Sequence, residues 1–342
     1  MSTTTSKTVK KTKTKKEKTR ESPWTEQFRP RTTKQIVGNQ DVVRDIDEQT
    51  SQLSVPNICI SGIQGVGKTT ISNIIAWRLA EGQVENILII NGSEQGTMDY
   101  LRKKIIPFCD KTSLDSGRKV VVIEEADNMS TKVQPALRKV MEKYTVNGNV
   151  VFVLNCNYLN KIIPPLLSRC AKFKFGRVAD KDMIKLLKRV QKVKKLTIEE
   201  GAIEKILKEA KGIPRDLITL LQMVSLSGKR PITTDLVQKH SLDVIVEEIM
   251  KEILKKKNLK AALDLTIKNM NEGRIIDERS MIEEIFNRYS SNGIKNELFR
   301  GFIIKYCAEA DANISGGSIP LIQLGGLYSN ILILKIQSES GK

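Results

Sequence analysis

Within "GIQGVGKTT", Gly62, Gly67, Lys68 and Thr69 hold the spacing G-x-x-x-x-G-K-T. That spacing suits phosphate chemistry. Glycines let successive backbone N–H groups turn inward around phosphate oxygens, and a helix starting at the lysine adds its positive end. Lys68 is placed to reach β- and γ-phosphates, and the Thr69 hydroxyl to ligate Mg²⁺. Some fifty residues later "VVIEEADNMS" ends an apolar run in Glu124 and Glu125, with Asp127 close behind. After a phosphate loop, such a pair reads as a metal-shell carboxylate, Glu124, followed by a base or water-orienting group, Glu125. The alternative is a strand ending in solvated acids.

These residues need a frame that brings two strand ends together. "NICISG", "NILIIN", "RKVVVIEEA", "NVVFVLNCN" and "AKFKF" read as strands. Their apolar, β-branched runs without polar alternation predict strands covered on both faces. Between them, "KTTISNIIAWRLAEG" and "VQPALRKVMEKY" read as helices, and "MDYLRKKIIPF" as a helix interrupted near Pro107. The alternation predicts an α/β domain built on a mostly parallel sheet. After about Val178 the strands stop. "DKDMIKLLKRVQKV", "IEEGAIEKILKEAKG" and "RDLITLLQMVSLSG" are amphipathic helices, and helical patterning resumes from about His240 to "LYSNILILKI". The predicted domains are a basic tail over 1–22, the α/β domain over 23–178, a helical domain over 179–239 and a C-terminal helical domain over 240–342.

The chain has 342 residues and a formal net charge of +18, which points to a polyanionic partner, nucleic acid first. Residues 1–20 contribute +7 of that charge and read as a disordered tail: a nuclear address, a nucleic-acid arm or a solubilising segment. The tail has no apolar stretch, so no secretory signal is expected, and no run approaches the ~20 apolar residues of a membrane-crossing helix. Five scattered cysteines without a C-x-x-C pair, and His240 alone, argue against zinc and for a reducing compartment. His240 is expected to be an exposed or capping residue. Aromatic content of 5% offers no base-stacking surface for single strands.

Taken together, these segments resemble the small subunits of replication factor C, the sliding-clamp loader within the AAA+ ATPases. The resemblance runs through nearly all of residues 23–342. "PWTEQFRPRTTKQIVGNQDVV" resembles the family's opening, in which Trp24, Glu26, Arg29, Pro30, Val37 and Gly38 would surround adenine. "VLNCNYLNKIIPPLLSRC" is the most specific match. It implies Asn157 as the sensor of the γ-phosphate and Arg169 as an arginine finger. "GIPRDLITLLQ" implies Arg215 as a second sensor on the lid.

The resemblance implies a P-loop AAA+ parallel-sheet domain, a helical lid and a helical collar. It implies ATP and Mg²⁺, with the nucleotide held by Glu26, Arg29, Val37, Gly38, Gly62, Gly65, Val66, Gly67, Lys68, Thr69 and Thr70. Thr69 and Glu124 would face the metal, and Glu125, Asn157, Arg169 and Arg215 would serve hydrolysis. The implied partners are other loader subunits in a pentameric hetero-oligomer, a sliding clamp and primer–template DNA, with no membrane. Arg102 and Lys104 would meet the DNA backbone. The place of action would be the nucleus or another intracellular site of DNA replication. Arg169 precedes "AKFKF" on a rim expected to face a neighbouring subunit, so it would complete that neighbour's site.

Three departures from the family pattern stand out. Glu124 replaces an aspartate, Gly96 and Thr97 replace an Arg-Gly pair, and Ile213, Pro214 and Asp216 replace polar or basic neighbours of Arg215. A carboxylate one methylene longer can still reach a metal through water. A metal displaced by about an ångström costs about a hundredfold in rate. Two other readings therefore stay open: a nucleotide-holding structural subunit with little hydrolysis, and another AAA+ DNA remodeller.

Overall fold

The β-branched runs form five strands: β1 (Asn57–Gly62), β2 (Ile87–Asn91), β3 (Lys119–Glu124), β4 (Val150–Cys156) and β5 (Cys170–Phe175). This computed structural model describes residues 22–340 apart from 112–116, 147–148, 229, 273, 276–277 and 292–295. The expected tail over 1–22 thus lies outside the described residues except for Ser22. All strand pairings are parallel and the order is β2-β3-β4-β1-β5. Parallel strands bury both faces, and the two-residue side-chain period divides each strand between two cores. Ile58, Ile60, Val120, Val122, Val151 and Val153 pack with Ile71 and Ile75 of the helix Lys68–Leu79. Cys59, Val121, Ile123, Phe152 and Leu154 pack on the other face with Leu101, Leu137 and Met141.

The break expected near Pro107 is instead a widening. The chain is helical from Met98 to Asp110, with Leu101–Ile105 wound as a π-helix and Pro107 in the first turn of the stretch Ile106–Asp110. A proline lacks the N–H that a continuing α-helix needs and its ring collides with the preceding turn. A single π turn accommodates that mismatch without ending the helix.

Beyond residue 178 the only strand-like pairing among the described residues is one bridge, Ile198 with Ile232. The helices Asp180–Lys194, Glu200–Ala210, Pro214–Leu226 and Thr234–Lys239 share a core that also takes in Trp24 and Phe28 from the start of the chain. The Trp24 backbone N–H donates to Gln222 Oε1 at 2.9 Å, anchoring the N-terminal arm on this helical unit. His240 caps the C-terminus of Thr234–Lys239. The helices from Leu242 to Glu339 form a separate core around Tyr328, Ile249 and Ile303.

Two polar bridges join these parts. Arg279 of the C-terminal helices donates to Tyr158 Oη at 2.8 Å while paired with Asp311 at 2.6 Å. Lys211 pairs with Glu284 at 2.6 Å, and its carbonyl accepts from Arg177 at 2.7 Å. Among the described residues no helix is long and apolar enough to cross a membrane.

Candidate nucleotide site

β1 ends at Gly62, and the chain turns through residues 63–67 before the helix that starts at Lys68. The lysine side chain folds back over this turn. Its Nζ donates to the carbonyls of Gly62 and Ile63, each at 2.8 Å, and to Asn157 Oδ1 at 2.9 Å. Burial removes water from the ammonium group and brings its pKa down from 10.5 to about 8, despite the opposing pull of Asp127 and Glu124. Lys68 and Asn157, one from β1's loop and one from beyond β4, thus converge on a single point at the carboxyl ends of adjacent strands. Open parallel sheets bind ligands at that edge.

β3 delivers the acids. Glu124 Oε2 accepts from Thr69 Oγ1 at 2.7 Å, and Oε1 accepts from Asn155 Nδ2 at 2.9 Å. Glu125 follows with a left-handed backbone, φ 51° and ψ 43°. That conformation turns its carboxylate away from the strand axis, where Asn128 Nδ2 donates to it at 3.3 Å. A side chain is uncommon there, so the turn is a local strain at the cleft. Both glutamates line a cleft of about 550 Å³ together with Lys68, Thr69, Thr70 and Asn157.

The helices from Asp180 to Lys239, the segment expected to form a lid, line the cleft from the other side through Leu186, Arg189, Pro214, Arg215 and Ile218. Pro214 takes the first position of the helix Pro214–Leu226, where its missing N–H costs nothing, and so places Arg215 in the first turn. The Arg215 N–H approaches the Gly65 carbonyl at 3.4 Å. A Cβ on Gly65 would lie 2.6 Å from Ile213 Cγ2, so the lid rests directly on the phosphate loop. Ile213, one of the residues that depart from the family pattern beside Arg215, makes this contact itself. On the N-terminal arm, Arg29 Nε donates to Glu26 Oε2 at 2.8 Å. That bond, with the guanidinium charge, holds the Glu26 carboxyl below its usual value. Arg29 also reaches Thr70 Oγ1 at 3.5 Å.

Of the residues expected to hold nucleotide, Glu26, Arg29, Val37, Gly65, Val66, Gly67, Lys68, Thr69 and Thr70 line the cleft. Gly62 is represented there through its carbonyl on Lys68. Gly38 stands behind Val37, where an added Cβ would lie 2.5 Å from Val178. Of the residues expected to serve hydrolysis, Glu125, Asn157 and Arg215 line the cleft and Arg169 does not. Arg169 immediately precedes β5, whose first residue is in register with Asn57 at the start of β1. Five residue steps of about 3.3 Å separate that level from Gly62, about 16 Å along the sheet. There Arg169 pairs with Glu142 and donates to the Pro165 carbonyl at 2.7 Å. Arg102 and Lys104 are exposed on the π turn, and Lys103 between them pairs with Asp99 at 2.9 Å.

Sequence reasoning noted Asp127 without giving it a role, and it did not single out Asn155 or Arg189. Asp127 is buried, and its carboxylate accepts the N–H groups of Asn157 at 3.2 Å and Tyr158 at 3.0 Å. It fixes the loop that carries Asn157. Its place two residues after the acidic pair was the available signal. Asn155 was hidden within an apolar strand, and Arg189, which lines the cleft from the lid, within a lysine-rich helix face. Cys156 also lines the cleft. Its hydrogen bond with Cys59 and its burial push the thiol pKa up, so it stays protonated rather than serving as a nucleophile.

The sequence profile of the "ATPase family associated with various cellular activities (AAA)" matches residues 58–177, the span from β1 to just past β5. A replication factor C small subunit from Methanococcus maripaludis strain C7 is 30% identical over 331 residues, covering 92% of this chain and 100% of that protein. The corresponding subunit from Methanosphaera stadtmanae is 31% identical over 333 residues, covering 92% and 98%. Among solved structures, the Thermotoga maritima RuvB Holliday junction branch migration motor aligns with a TM-score of 0.51 and 23% identity, covering 69% of this chain and 84% of that one. That likeness carries the fold alone. The whole-length relatives carry more: the chain belongs to the replication factor C small-subunit family of AAA+ ATPases.

Proposed function

We propose that the chain is a small subunit of a clamp loader that uses ATP binding and hydrolysis to place a ring-shaped clamp on primed DNA. The observation that carries the reading is the convergence of Lys68 and Asn157 at 2.9 Å above the phosphate loop, with Glu124 held on Thr69 beside them. On this reading residues 23–178 are the ATPase domain, 179–239 the lid and 240–342 the collar that joins subunits.

Lys68 and Asn157 bind the terminal phosphate oxygens, and Glu125 orients the attacking water and takes its proton. Arg215 follows the phosphates from the lid. Arg169 lies about a strand length from its own cleft and completes a neighbour's. The Thr69 hydroxyl and the Glu124 carboxylate are hard oxygen donors 2.7 Å apart, a set that fits Mg²⁺ shared with phosphates and water. Among the described residues no cluster of three or more acidic, histidine or cysteine side chains offers a metal cage of its own. That fits an ion that arrives with its nucleotide. When bound, it supplies neutralisation of phosphate charge. Arg102 and Lys104 contact the DNA backbone by charge, without reading bases. The site of action is the nucleus or another compartment of DNA synthesis.

Steady-state ATP hydrolysis, measured alone and then with loader partners, clamp and primed DNA, tests this. Hydrolysis should be slow alone and rise in the full assembly. Arg169→Ala should remove most of that rise, since a finger supplied in trans contributes about 10³–10⁵ in rate, while the single chain keeps its nucleotide affinity. Nucleotide binding without hydrolysis in any assembly would instead make the chain a nucleotide-holding scaffold. Stimulation by branched DNA alone would make it another remodeller.

A further inference from the structure

Asn155 lies in β4, directly beside the end of β3, and is 1% exposed. A buried amide must place both its donor and its acceptor. Its Nδ2 donates to Glu124 Oε1 at 2.9 Å, and its Oδ1 accepts from Ser72 Oγ at 2.7 Å. The orientation is set by chemistry. An ionised carboxylate only accepts, so the NH₂ end of the amide must face Glu124 and its oxygen must face Ser72. The single Ser72 hydroxyl hydrogen then points to Asn155, although the Lys68 carbonyl also lies 3.0 Å away.

Glu124 is thus held at both oxygens, Oε1 by Asn155 and Oε2 by Thr69. A glutamate has one more rotatable bond than an aspartate, and without a second anchor its carboxylate would sample several rotamers. We propose that Asn155 is a positioning residue that locks the long Glu124 side chain so that Oε2 stands at the Thr69 hydroxyl. There it would serve the Mg²⁺ that accompanies the nucleotide. This inference rests on the proposed ATP-binding role. Glu124 and Asn155 form a matched pair. An aspartate, shorter by about 1.5 Å of chain, would stand at Thr69 or at Asn155 but not span both. The relay Ser72–Asn155–Glu124 then links the phosphate-loop helix, β4 and β3 through one chain of hydrogen bonds, buried at Ser72 and part-buried at Glu124.

The test is a double-mutant cycle read by binding. The affinity for a fluorescent N-methylanthraniloyl ADP would be measured with Mg²⁺ and with EDTA for the wild type, Asn155→Ala, Glu124→Asp and the double variant. Outer-shell partners of a metal site contribute about 10–100-fold to metal affinity. Asn155→Ala should therefore weaken the Mg²⁺-dependent tightening by about that factor and leave the EDTA affinity within about twofold. In the Glu124→Asp background the same substitution should change the tightening far less, because an aspartate cannot hold Asn155 and Thr69 together. Equal proportional effects in both backgrounds, or none in either, would overturn the positioning role while leaving nucleotide binding intact. A wild type that binds no nucleotide would overturn the proposed function and this inference together. Thermal melting checks folding. Where the alanine variant does not fold, the near-isosteric Asn155→Leu removes the same donor without a cavity, and the same cycle applies.

Discussion

Raising the pH should weaken nucleotide binding through one group, Lys68. Burial disfavours its charged form and lowers its pKa to about 8 in the free protein. The phosphate-bound state needs the ammonium group, because the same Nζ that now bonds two carbonyls and Asn157 must face an anion. Below pH 8 the free protein already carries the charge, and binding is indifferent to pH. Above it, binding must take up a proton, and affinity falls about tenfold for each unit. The protonated fraction is about 0.9 at pH 7 and about 0.09 at pH 9. ADP affinity should therefore drop about tenfold between those values, or about 1.4 kcal/mol. Phosphate groups are almost fully ionised throughout this window, so the ligand contributes little. Buried cysteines lie higher still: the Cys109 and Cys170 thiols are pushed up to about 12 by burial. The assay is fluorescence titration with N-methylanthraniloyl ADP at pH 7, 8 and 9, repeated with Lys68→Met. The variant should bind more weakly and show a flat profile. A flat wild-type profile, or a variant with the wild-type slope, would refute the reasoning. The sign for folding is also set. The unfolded lysine, near 10.5, holds its proton more tightly than the folded one. Lys68 therefore lowers stability below pH 8, and that cost disappears as the pH rises from 8 through 10.5.

Two further predictions concern how the site is held. Gly65→Ala places a Cβ 2.6 Å from Ile213 Cγ2 at a backbone φ of +82°. The left-handed conformation costs an L-residue about 1–2 kcal/mol, and the clash pushes the lid off the loop. ADP affinity should fall about tenfold or more, and adding Ile213→Ala should restore part of it. No restoration would place the defect in the loop rather than in lid docking. Asp127→Asn keeps the shape but leaves one acceptor oxygen for two backbone N–H groups. Stability should fall by about 1–3 kcal/mol in urea denaturation, and stimulated hydrolysis should fall more than ADP affinity, because the loop carrying Asn157 is released. Equal losses in the two would show that Asp127 supports the fold without positioning the sensor.

The parallel sheet was legible because its signal is local and dense. Uninterrupted β-branched runs at strand length, separated by amphipathic segments, admit few other arrangements. The phosphate loop was legible because glycine and lysine spacing encodes a backbone shape. The π turn before Pro107 was not. Proline announces a missing donor, but whether a helix breaks or widens depends on what its neighbours bury. Here Leu101 and Ile105 are both drawn into the core beside β3 and β4, and that packing keeps the segment helical across the proline.

The cleft divides along the same line. Residues at strand ends are read from their strands, so Glu124 and Glu125 could be named, whereas Asn157 was named only through the family resemblance. Residues whose role depends on what another element places opposite them could not. Asn155 reads as a polar interruption of an apolar strand until Glu124 and Ser72 stand on either side of it. The glutamate at 124 looks like a defect while its length is measured against an aspartate alone. Measured against Asn155, the extra methylene is what lets one carboxylate meet both that amide and Thr69. A substitution at a strand end therefore changes meaning with its neighbour across the sheet, and that pairing is fixed by register rather than by proximity in sequence. Asn91, Glu124 and Asn155 are distant along the chain, yet the β2-β3-β4 order brings all three to one rim of one cleft.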